Sequence, residues 1–502
     1  MQSNNISYFN ARSKRLLLAT LGLIWVVRLL MLAQIPLIDN SESRYAEMAR
    51  KMAATGDWVT PRYIGNQPFW AKPPLSMWLS GAGIKLFGEN EFGARIFIFL
   101  ASCAILLLLY SWIKGIKGKD TALAATFILA TSSAFVITSG TVMTDLPLCA
   151  STTLAMVAYW HAIHRKSKWW GMVFFIALGL GMLAKGPIAL VLTALPIGIW
   201  LIGSRRLIEG IKCLPWISGV LLALAIALPW YVLAEIRTPG FLNYFIIGEH
   251  WDRFLIKGWN GDLYGNAHSE PPGTIWYFGL ISLLPWTLIM PYLIFKIPRV
   301  FQNIQSEEKP YLGYLSAWLV SPLLFFTAAR NIIPTYALTG IPAGAILFFE
   351  LTALTNDKTT NRIVIRYLKW GAAASTILIT STWLLFSYFP DRMHKQSQRE
   401  MVKYIESRSD LKEIPLSYRG KPLCSAWFYR KGQVNFIDDE GIKKLFCNHH
   451  PDLLVVPART DSAQPPLIHD HFTQIATIGR FSLMRENVNQ NSDLVAAEKG
   501  NP

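Results

Sequence analysis

The chain has 502 residues, of which 52% are hydrophobic and only 16% are charged, and its mean hydropathy is +0.30. These values exclude an ordinary soluble protein and a disordered one, and they indicate an integral membrane protein. The formal net charge of +16 does not point to nucleic acid as a partner. Most of the excess lysine and arginine lies in short clusters between apolar runs, which suits contact with membrane lipids.

The first apolar run, near 16–37, follows the basic residues Arg12, Lys14 and Arg15. It is longer than the core of a signal peptide and no small-residue cleavage site follows it, so we interpret it as an uncleaved first span. Windows of about 19 residues, apolar and long enough to cross the hydrocarbon core, recur near 93–113, 121–139, 146–163, 169–184, 187–203, 212–233, 273–296, 311–328, 333–352 and 367–388. The pattern predicts an α-helical polytopic membrane protein with about eleven spans.

Basic clusters occupy alternate gaps between these runs. They are Lys114, Lys117 and Lys119; Arg165, Lys166 and Lys168; Arg205, Arg206 and Lys212; Lys296, Arg299 and Lys309; and Lys358, Arg362, Arg366 and Lys369. All of them fall on the same side as Lys14 and Arg15, and the positive-inside rule makes that side cytoplasmic. We therefore expect the N-terminus in the cytoplasm and the C-terminal region on the opposite side, the periplasmic side of a bacterial inner membrane.

The outer side then receives two long loops, 38–92 and 235–272. In the first loop, Ser43–Ala54 has helical periodicity and Gly56 follows it, which predicts a surface helix. The segment after it, 63–75, is rich in aromatic residues and prolines and is typical of an irregular stretch at the membrane interface.

The composition becomes that of a soluble protein near residue 391. We predict a transmembrane domain over 1–390, a small α/β domain over 391–486 and a flexible polar tail over 487–502. Apolar β-type runs at 433–437, 453–457 and 481–485 and helical patterns at 399–407 and 440–446 support the α/β prediction. If this domain is extracytoplasmic, Cys424 and Cys447 either form a disulfide or stay reduced, and the spacing does not decide between these.

Chemically suggestive groups gather in the breaks on the outer side. Asp39 and Glu42 lie where the first span ends, and they either cap the surface helix and favour its dipole or accept a proton as general bases. Asp145, shortly before Pro147, either caps the next span or is a functional carboxylate. In the second case, a cation or the substrate must offset the free-energy cost of removing the carboxylate from water.

Cations accompany these carboxylates. Lys72, between aromatic residues and two prolines, either reaches lipid headgroups or binds a phosphate oxygen, and Lys185 presents the same choice. His250, Arg253 and His268 crowd one loop and suit an anion site. Arg330, shortly before Tyr336, adds a further cation. No metal-ligand spacing stands out, so we predict no cofactor and leave a divalent-cation requirement open.

At these residues the chain resembles the C-type glycosyltransferases that take a sugar from a polyprenyl phosphate. It is most similar to the lipid A 4-amino-4-deoxy-L-arabinose transferases and the protein O-mannosyltransferases. The resemblance covers about 15–350 and is carried by Asp39-x-x-Glu42-x-Arg44-Tyr45-Ala46-Glu47, Gly56-Asp57-Trp58, Lys72-Pro73-Pro74-Leu75, Asp145, Lys185-Gly186-Pro187, Glu249-His250-x-x-Arg253, His268, Trp276-Tyr277 and Pro334-x-Tyr336. Ala71 and Ile332 depart from it, at positions where an acidic residue and a lysine are frequent.

The resemblance implies a fold of eleven to thirteen spans with interfacial helices. It implies that Asp39, Glu42 and Asp145 are active-site carboxylates and that Lys72 holds the lipid phosphate. Arg253, His268, Arg330 and Tyr336 are then further substrate-binding candidates. The reaction would move a sugar to an acceptor such as lipid A, another glycan or a protein, at the periplasmic face and with inversion.

Two questions stay open at this stage. A hydroxyl acceptor would need one of the carboxylates as a base, whereas a phosphate acceptor is already nucleophilic and would leave the carboxylates to orient the sugar. The alternative function is a transporter or lipid flippase. The sequence shows none of the paired halves that many transporters have, and this favours an enzyme.

Overall fold

The computed structural model describes residues 8–39, 41–252, 256, 259, 261–264, 270–355, 358–388, 396–445, 450–458 and 466–487. Arg253, His268 and Cys447 lie outside these residues, so the predictions made for the first two and for the Cys424–Cys447 disulfide are not tested. The tail predicted over 487–502 lies outside them as well, apart from its first residue.

Helices dominate the part of the chain up to residue 388. They are α1 (Ala11–Gln34), α2 (Ser41–Thr55), α3 (Leu75–Phe87), α4 (Glu91–Lys117), α5 (Lys119–Thr131), α6 (Ser133–Thr138), α7 (Asp145–Arg165), α8 (Lys168–Lys185), α9 (Ile188–Gly203), α10 (Leu207–Lys212), α11 (Trp216–Arg237), α12 (Thr274–Ser282), α13 (Met290–Ile294), α14 (Ile297–Asn303), α15 (Lys309–Phe325), α16 (Ile341–Leu354) and α17 (Lys358–Tyr388). Short 3₁₀ turns cover Ile64–Asn66, Trp286–Ile289 and Pro334–Gly340, and a π-helical segment covers Asn243–Asp252.

Every predicted apolar window coincides with a helix or a helix pair. Within the described residues, seven helical stretches are long and apolar enough to cross a membrane, and an eighth span results if the bent pair of α12 with Trp286–Ile294 counts as one. The axes of that pair differ by 102°. The remaining windows are shorter helices: α9, α15 and the pair of α5 and α6, which is interrupted at Ser132. The protein is thus a multi-pass membrane protein, as its sequence predicts.

Helix α7 is the central element of the membrane part. Of its most apolar stretch, 83% is buried, compared with 33% for α1 and 28% for α11. Its sequence is rich in small residues, including Ala150, Ser151 and Ala155, which allow neighbouring helices to approach closely. It packs against α4, α8, α9 and the Pro334–Gly340 turn. The N-terminal end of α7 therefore holds a fixed position relative to its neighbours.

A five-stranded sheet forms the core of the C-terminal region. Its helices are α18 (Arg399–Glu406), α19 (Cys424–Tyr429), α20 (Asp439–Leu445) and α21 (Pro466–His471), and its strands are β1 (Leu416–Arg419), β2 (Asn435–Ile437), β3 (Leu453–Pro457), β4 (Phe472–Ile478) and β5 (Phe481–Glu486). The strand order is β2-β1-β3-β5-β4. Strand β1 pairs in parallel with β2 and β3, whereas β5 pairs antiparallel with β3 and β4. The predicted α/β class of this region is confirmed, although the sequence had not indicated β1 and β4.

Candidate active site

An ion pair joins the adjacent ends of two central helices. Asp145 is the first residue of α7 and Lys185 is the last residue of α8. Because the two helices form an antiparallel hairpin, these ends meet, and Lys185 Nζ lies 2.7 Å from Asp145 Oδ1. Both side chains are largely buried, with 3% of Asp145 and 11% of Lys185 exposed. A carboxylate at a helix N-terminus and a cation at a C-terminus also complement the two helix dipoles.

The chain must turn sharply after Lys185 to keep this geometry. Gly186 has φ +80°, a value that a residue with a side chain rarely adopts, and a Cβ there would lie 2.5 Å from the Phe245 ring. Pro187 precedes α9, which begins at Ile188. The Lys185-Gly186-Pro187 motif is therefore a helix break that places the lysine at the site, and the glycine and the proline have structural reasons to be there.

A second ion pair lies beside the first. Lys72 Nζ lies 2.8 Å from Glu249 Oε2 and also donates a hydrogen bond to the carbonyl of Ala71 at 2.7 Å. Lys72 precedes Pro73 and Pro74, which restrict the backbone before α3 begins. Glu249 belongs to the π-helical segment Asn243–Asp252 and only 2% of its side chain is exposed. The two long outer loops, 38–92 and 235–272, thus meet through this pair.

Tyr336 completes the group from a third direction. It lies in the Pro334–Gly340 turn, and its ring centroid is 4.3 Å from Lys185 Nζ. A cation over an aromatic face is favourable when both are shielded from water. Phe326 packs against the Tyr336 ring, with 4.8 Å between the two ring centroids. The aromatic ring therefore holds the lysine in place together with Asp145.

Two adjoining cavities meet at these residues, with volumes of about 110 and 130 Å³. Six residues line both: Lys72, Asp145, Lys185, Glu249, Asn331 and Tyr336. The rest of the first cavity is mostly apolar, with Leu148, Ile188, Leu192, Phe325, Phe326 and Ala329. The second adds polar groups, including Ser41, Arg44, Thr144 and Asp262. The ion pairs thus lie where an apolar cavity meets a polar one, an arrangement that suits a lipid with a polar reacting end.

Asp39 lies outside the lining of both cavities. Its Oδ1 accepts hydrogen bonds from the backbone amide of Ser425 at 2.9 Å and from Ser43 Oγ at 2.7 Å, and its Oδ2 accepts one from Ser425 Oγ. Ser425 belongs to α19, so Asp39 joins the first loop to the C-terminal region. Burial raises the pKa of Asp39, although these hydrogen bonds oppose the increase.

Glu42 also lies outside the cavity linings. Arg95 donates two hydrogen bonds of 2.8 Å to its carboxylate, and the amide of Val142 donates a third at 3.2 Å. The same guanidinium donates to the carbonyls of Leu32, Ile35 and Pro36 at the end of α1. The sequence therefore brings Glu42 into a buried network that ties α1, α2, α4 and the loop before α7 together.

Arg330 is a further candidate from the sequence that the structure describes. Arg330 is exposed and lines neither cavity, while its carbonyl accepts a hydrogen bond of 2.8 Å from the Glu270 amide. Of the predicted site residues, the structure brings Asp145, Lys72 and Tyr336 together. Lys185, which had less support from sequence, joins them, and the sequence assigned no role to Glu249.

His250 is a further cavity residue that sequence reasoning assigned only to a general anion site. Its Nδ1 lies 2.7 Å from the carbonyl of Phe245 and its Nε2 lies 3.4 Å from that of Lys185. Burial, with a smaller effect from Lys72, lowers its pKa. The lowered pKa favours the neutral imidazole, although the nearby carbonyls of Phe245 and Lys185 oppose the decrease, and the ring forms part of the cavity wall.

The described residues contain no group of three or more His, Cys, Asp and Glu side chains placed to hold a metal ion. The two carboxylates shared by the cavities, Asp145 and Glu249, each contact a lysine ammonium at less than 3 Å. A divalent cation at either carboxylate would lie beside that positive charge, which is unfavourable. Both carboxylates are thus already paired with a lysine of the protein.

Comparisons with known proteins point to one group. Residues 24–245 match the family described as dolichyl-phosphate-mannose-protein mannosyltransferase. The undecaprenyl phosphate-alpha-4-amino-4-deoxy-L-arabinose arabinosyl transferase of Aeromonas hydrophila subsp. hydrophila is 32% identical over 322 residues, which are 62% of this chain and 55% of that protein. The protein of the same name from Pseudomonas savastanoi pv. phaseolicola is 33% identical over 317 residues, covering 62% and 56%. The chain thus spans little more than half the length of these curated relatives.

Solved structures extend the comparison to nearly the whole chain. ArnT from Cupriavidus metallidurans in the apo state has a TM-score of 0.75 at 19% identity, covering 94% of this chain and 98% of that one. Its structure with undecaprenyl phosphate has a TM-score of 0.73 at 20% identity, covering 93% and 97%. The resemblance seen in the sequence is confirmed: the chain is related to these transferases in sequence and has the C-type fold of ArnT.

Proposed function

We propose that this protein is an integral-membrane glycosyltransferase of the bacterial inner membrane. It moves a sugar from a polyprenyl phosphate to an acceptor of the cell envelope, such as lipid A or lipopolysaccharide. The relatives are named as transferases that use undecaprenyl phosphate, and one neighbouring structure holds that lipid. These names support an enzyme rather than the alternative of a transporter or flippase. In our proposal the N-terminus is cytoplasmic and both the site and the C-terminal domain are periplasmic.

The observation that carries the proposal is the meeting of two lysines and two carboxylates between an apolar and a polar cavity. The prenyl chain of the donor would occupy the apolar side, and its phosphate would lie at the lysines. The sugar and the acceptor would then occupy the polar side. This arrangement places the bond that breaks at the boundary between the two cavities.

The chemistry follows from the charges at this boundary. The acceptor oxygen forms a bond to the anomeric carbon while the bond from that carbon to the phosphate oxygen breaks, and the polyprenyl phosphate leaves with the electron pair. Fixed cations stabilise the negative charge that grows on the leaving group, and we assign this role to Lys72 with Lys185. Tyr336 holds Lys185, and Arg253, His268 and Arg330 remain candidates for binding substrate. A single displacement of this kind inverts the anomeric configuration.

Asp145 is the carboxylate that we assign to catalysis, because it lines both cavities. It would accept the proton of a hydroxyl acceptor or, with a phosphate acceptor, steady positive charge at the anomeric carbon. Asp39 and Glu42 would act by positioning. They hold the start of α2, whose residues Ser41 and Arg44 line the polar cavity.

The test is to identify the product directly. Purified protein in lipid nanodiscs is incubated with undecaprenyl phosphate carrying an aminopentose or a hexose and with lipid A, and the lipids are analysed by mass spectrometry. In parallel, envelope lipids and glycoproteins of cells with and without the gene are compared. A sugar added to an acceptor only where the protein is present is the expected result. Unchanged envelopes together with no transfer from any of the donors would contradict the proposal.

A further inference from the structure

Lys72 already has an anionic partner in the structure. Its ammonium lies 2.8 Å from Glu249 Oε2, in the position that a phosphate oxygen would need to bind the same nitrogen. Lys185 is in the equivalent situation with Asp145. Neither lysine presents an uncompensated positive charge to the cavities, so an arriving phosphate competes with a carboxylate that belongs to the protein.

The charges on the cavity walls also indicate that an arriving phosphate competes with carboxylates of the protein. Among the described residues that line the two cavities, the cations are Lys72, Lys185 and Arg44, and the carboxylates are Asp145, Glu249 and Asp262. These formal charges cancel. If Glu249 did not move, a phosphate bound to Lys72 would contact the same ammonium as the Glu249 carboxylate. The two anions would then be so close that they repel strongly when water is excluded.

The two ion pairs differ in how readily their carboxylates can move away. Asp145 is anchored at the first turn of a central α-helix, whereas Glu249 belongs to a π-helical segment outside the spanning helices. Tyr244 Oη lies 3.5 Å from the other carboxylate oxygen of Glu249, at the limit of a hydrogen bond. Glu249 also has the longer side chain, with one more rotatable bond than aspartate.

We propose that Glu249 is a displaceable counter-ion, which neutralises Lys72 in the empty site and gives way when the donor phosphate binds. This inference rests on the proposed function, because it concerns the phosphate site of the same reaction. The carboxylate keeps the buried lysine charged and in position without substrate, and its repulsion by the phosphate favours release of the polyprenyl phosphate after transfer. Glu249 is therefore a positioning residue. Its carboxylate lowers the affinity for the donor and speeds the release of polyprenyl phosphate.

Binding of undecaprenyl phosphate without a sugar tests the inference apart from catalysis. Purified wild-type protein in nanodiscs is compared with Glu249→Gln, which keeps the size and a hydrogen-bond acceptor and removes the charge. We expect Glu249→Gln to bind the lipid about fivefold more tightly, because the phosphate no longer competes with a carboxylate for the Lys72 ammonium. Glu249→Asp, which shortens the side chain and keeps the charge, should show a smaller increase in affinity.

A double variant separates competition from structural effects. In the Lys72→Met background, Glu249→Gln should increase the affinity much less than it does beside Lys72, because no ammonium is left to compete for and only the repulsion between the carboxylate and the phosphate is removed. Glu235→Gln is the matched control, since Glu235 is a partly exposed carboxylate near the end of α11 that lines neither cavity and accepts hydrogen bonds from the amides of Gly240 and Leu242. It should bind the lipid as the wild type does.

The outcomes distinguish the two proposals. Unchanged or weaker binding by both Glu249 variants, or an increase that is equally large with and without Lys72, would overturn the counter-ion role while leaving the proposed function intact. If the wild type itself does not bind undecaprenyl phosphate, the proposed function fails as well. Slower turnover of Glu249→Gln at saturating donor, with product release rate-limiting, would further support the inference.

Discussion

Asp39 accepts hydrogen bonds from both the backbone amide and the hydroxyl of Ser425, a residue 386 positions further along the chain. The contact joins the end of the first span to helix α19 of the C-terminal region. Nearby, Tyr429 Oη donates to Glu91 at 3.1 Å, and Arg399 forms an ion pair with Glu91 at 3.0 Å. The C-terminal region is thus attached to the first loop by a polar interface next to the candidate active site.

Ser425→Ala should weaken this attachment. It removes a hydrogen bond to a buried carboxylate, and such bonds contribute about 2 kcal/mol. We expect a lower melting temperature for the purified protein and faster proteolysis between the membrane part and the C-terminal region. Ser407→Ala, at a serine of the same region whose hydroxyl bonds to the Tyr404 carbonyl on the exposed surface, is the control. Equal protease resistance in the two variants would contradict the attachment role.

Asp39 should make the stability of the protein depend on pH. Burial raises its pKa above the ordinary value of 3.8 in the folded protein. The folded state therefore binds the proton more tightly, so the contribution of Asp39 is fully present below pH 3.8 and is lost as the pH rises through the folded pKa. The difference in melting temperature between Asp39→Asn and the wild type should grow in favour of the variant from pH 4 to pH 7. A difference that is constant over this range would contradict the prediction.

Asp145→Asn should abolish sugar transfer while the protein still folds and inserts. Loss of a carboxylate that moves a proton or stabilises charge at the reacting carbon typically lowers the rate by about a hundredfold or more. The measurement is transfer from the lipid-linked donor by purified protein. Asp57→Asn is the matched control, because Asp57 pairs with the exposed Arg237 at 2.7 Å and lines neither cavity. Full activity of Asp145→Asn would remove this residue from the mechanism.

Glu42→Gln should destabilise the protein strongly. It leaves the guanidinium of Arg95, which is only 3% exposed, without its anionic partner. Removing one member of a buried ion pair costs about 3 kcal/mol or more. Unfolding in mixed micelles would measure the effect. Arg95→Met combined with Glu42→Gln should recover part of this loss of stability. If the double variant lost more unfolding free energy than the two single variants lose together, the buried pair would not be the cause.

His250 should make the stability of the protein depend on pH with the opposite sign to Asp39. Burial lowers its pKa below the ordinary value of 6.5, so the unfolded state binds the proton more tightly. Its contribution to stability is therefore fully present above pH 6.5 and is lost as the pH falls through the folded pKa. The wild type should lose stability from pH 7.5 to pH 5, and His250→Gln should lose less. Parallel melting curves of the two proteins across this range would refute the prediction.

The membrane helices could be predicted from sequence because length and hydropathy are local properties. Each apolar window corresponds to a helix or a helix pair, and Ser43–Ala54 lies within the helix Ser41–Thr55. The interruption at Ser132 and the 102° bend after Ser282 were not predicted. Both breaks lie inside continuous apolar windows, where composition does not change and packing against neighbouring helices decides the path.

The partners of the charged groups could not be predicted, because they are far apart in the chain. Lys185 and Asp145 are 40 positions apart, and Lys72 and Glu249 are 177 apart. Hydropathy and motif spacing mark each residue as unusual, but only the packing of the helices decides which ones meet. For the same reason, Asp39 and Glu42 resemble Asp145 in sequence, yet they contact Ser425 and Arg95 instead of the cavities. Their catalytic roles, and the predicted domain boundaries, stay predictions.

The hairpin of α7 and α8 has a consequence for how the protein is made. In the proposed orientation, the ends that carry Asp145 and Lys185 must both be translocated from the cytoplasm, and an isolated charge resists that transfer. The two helices are joined by a short turn around Ser167, so they can cross together. In that orientation we expect Asp145 and Lys185 to be translocated more easily as a neutral pair than either charge would be alone, because pairing lowers the cost of placing a charge in the membrane.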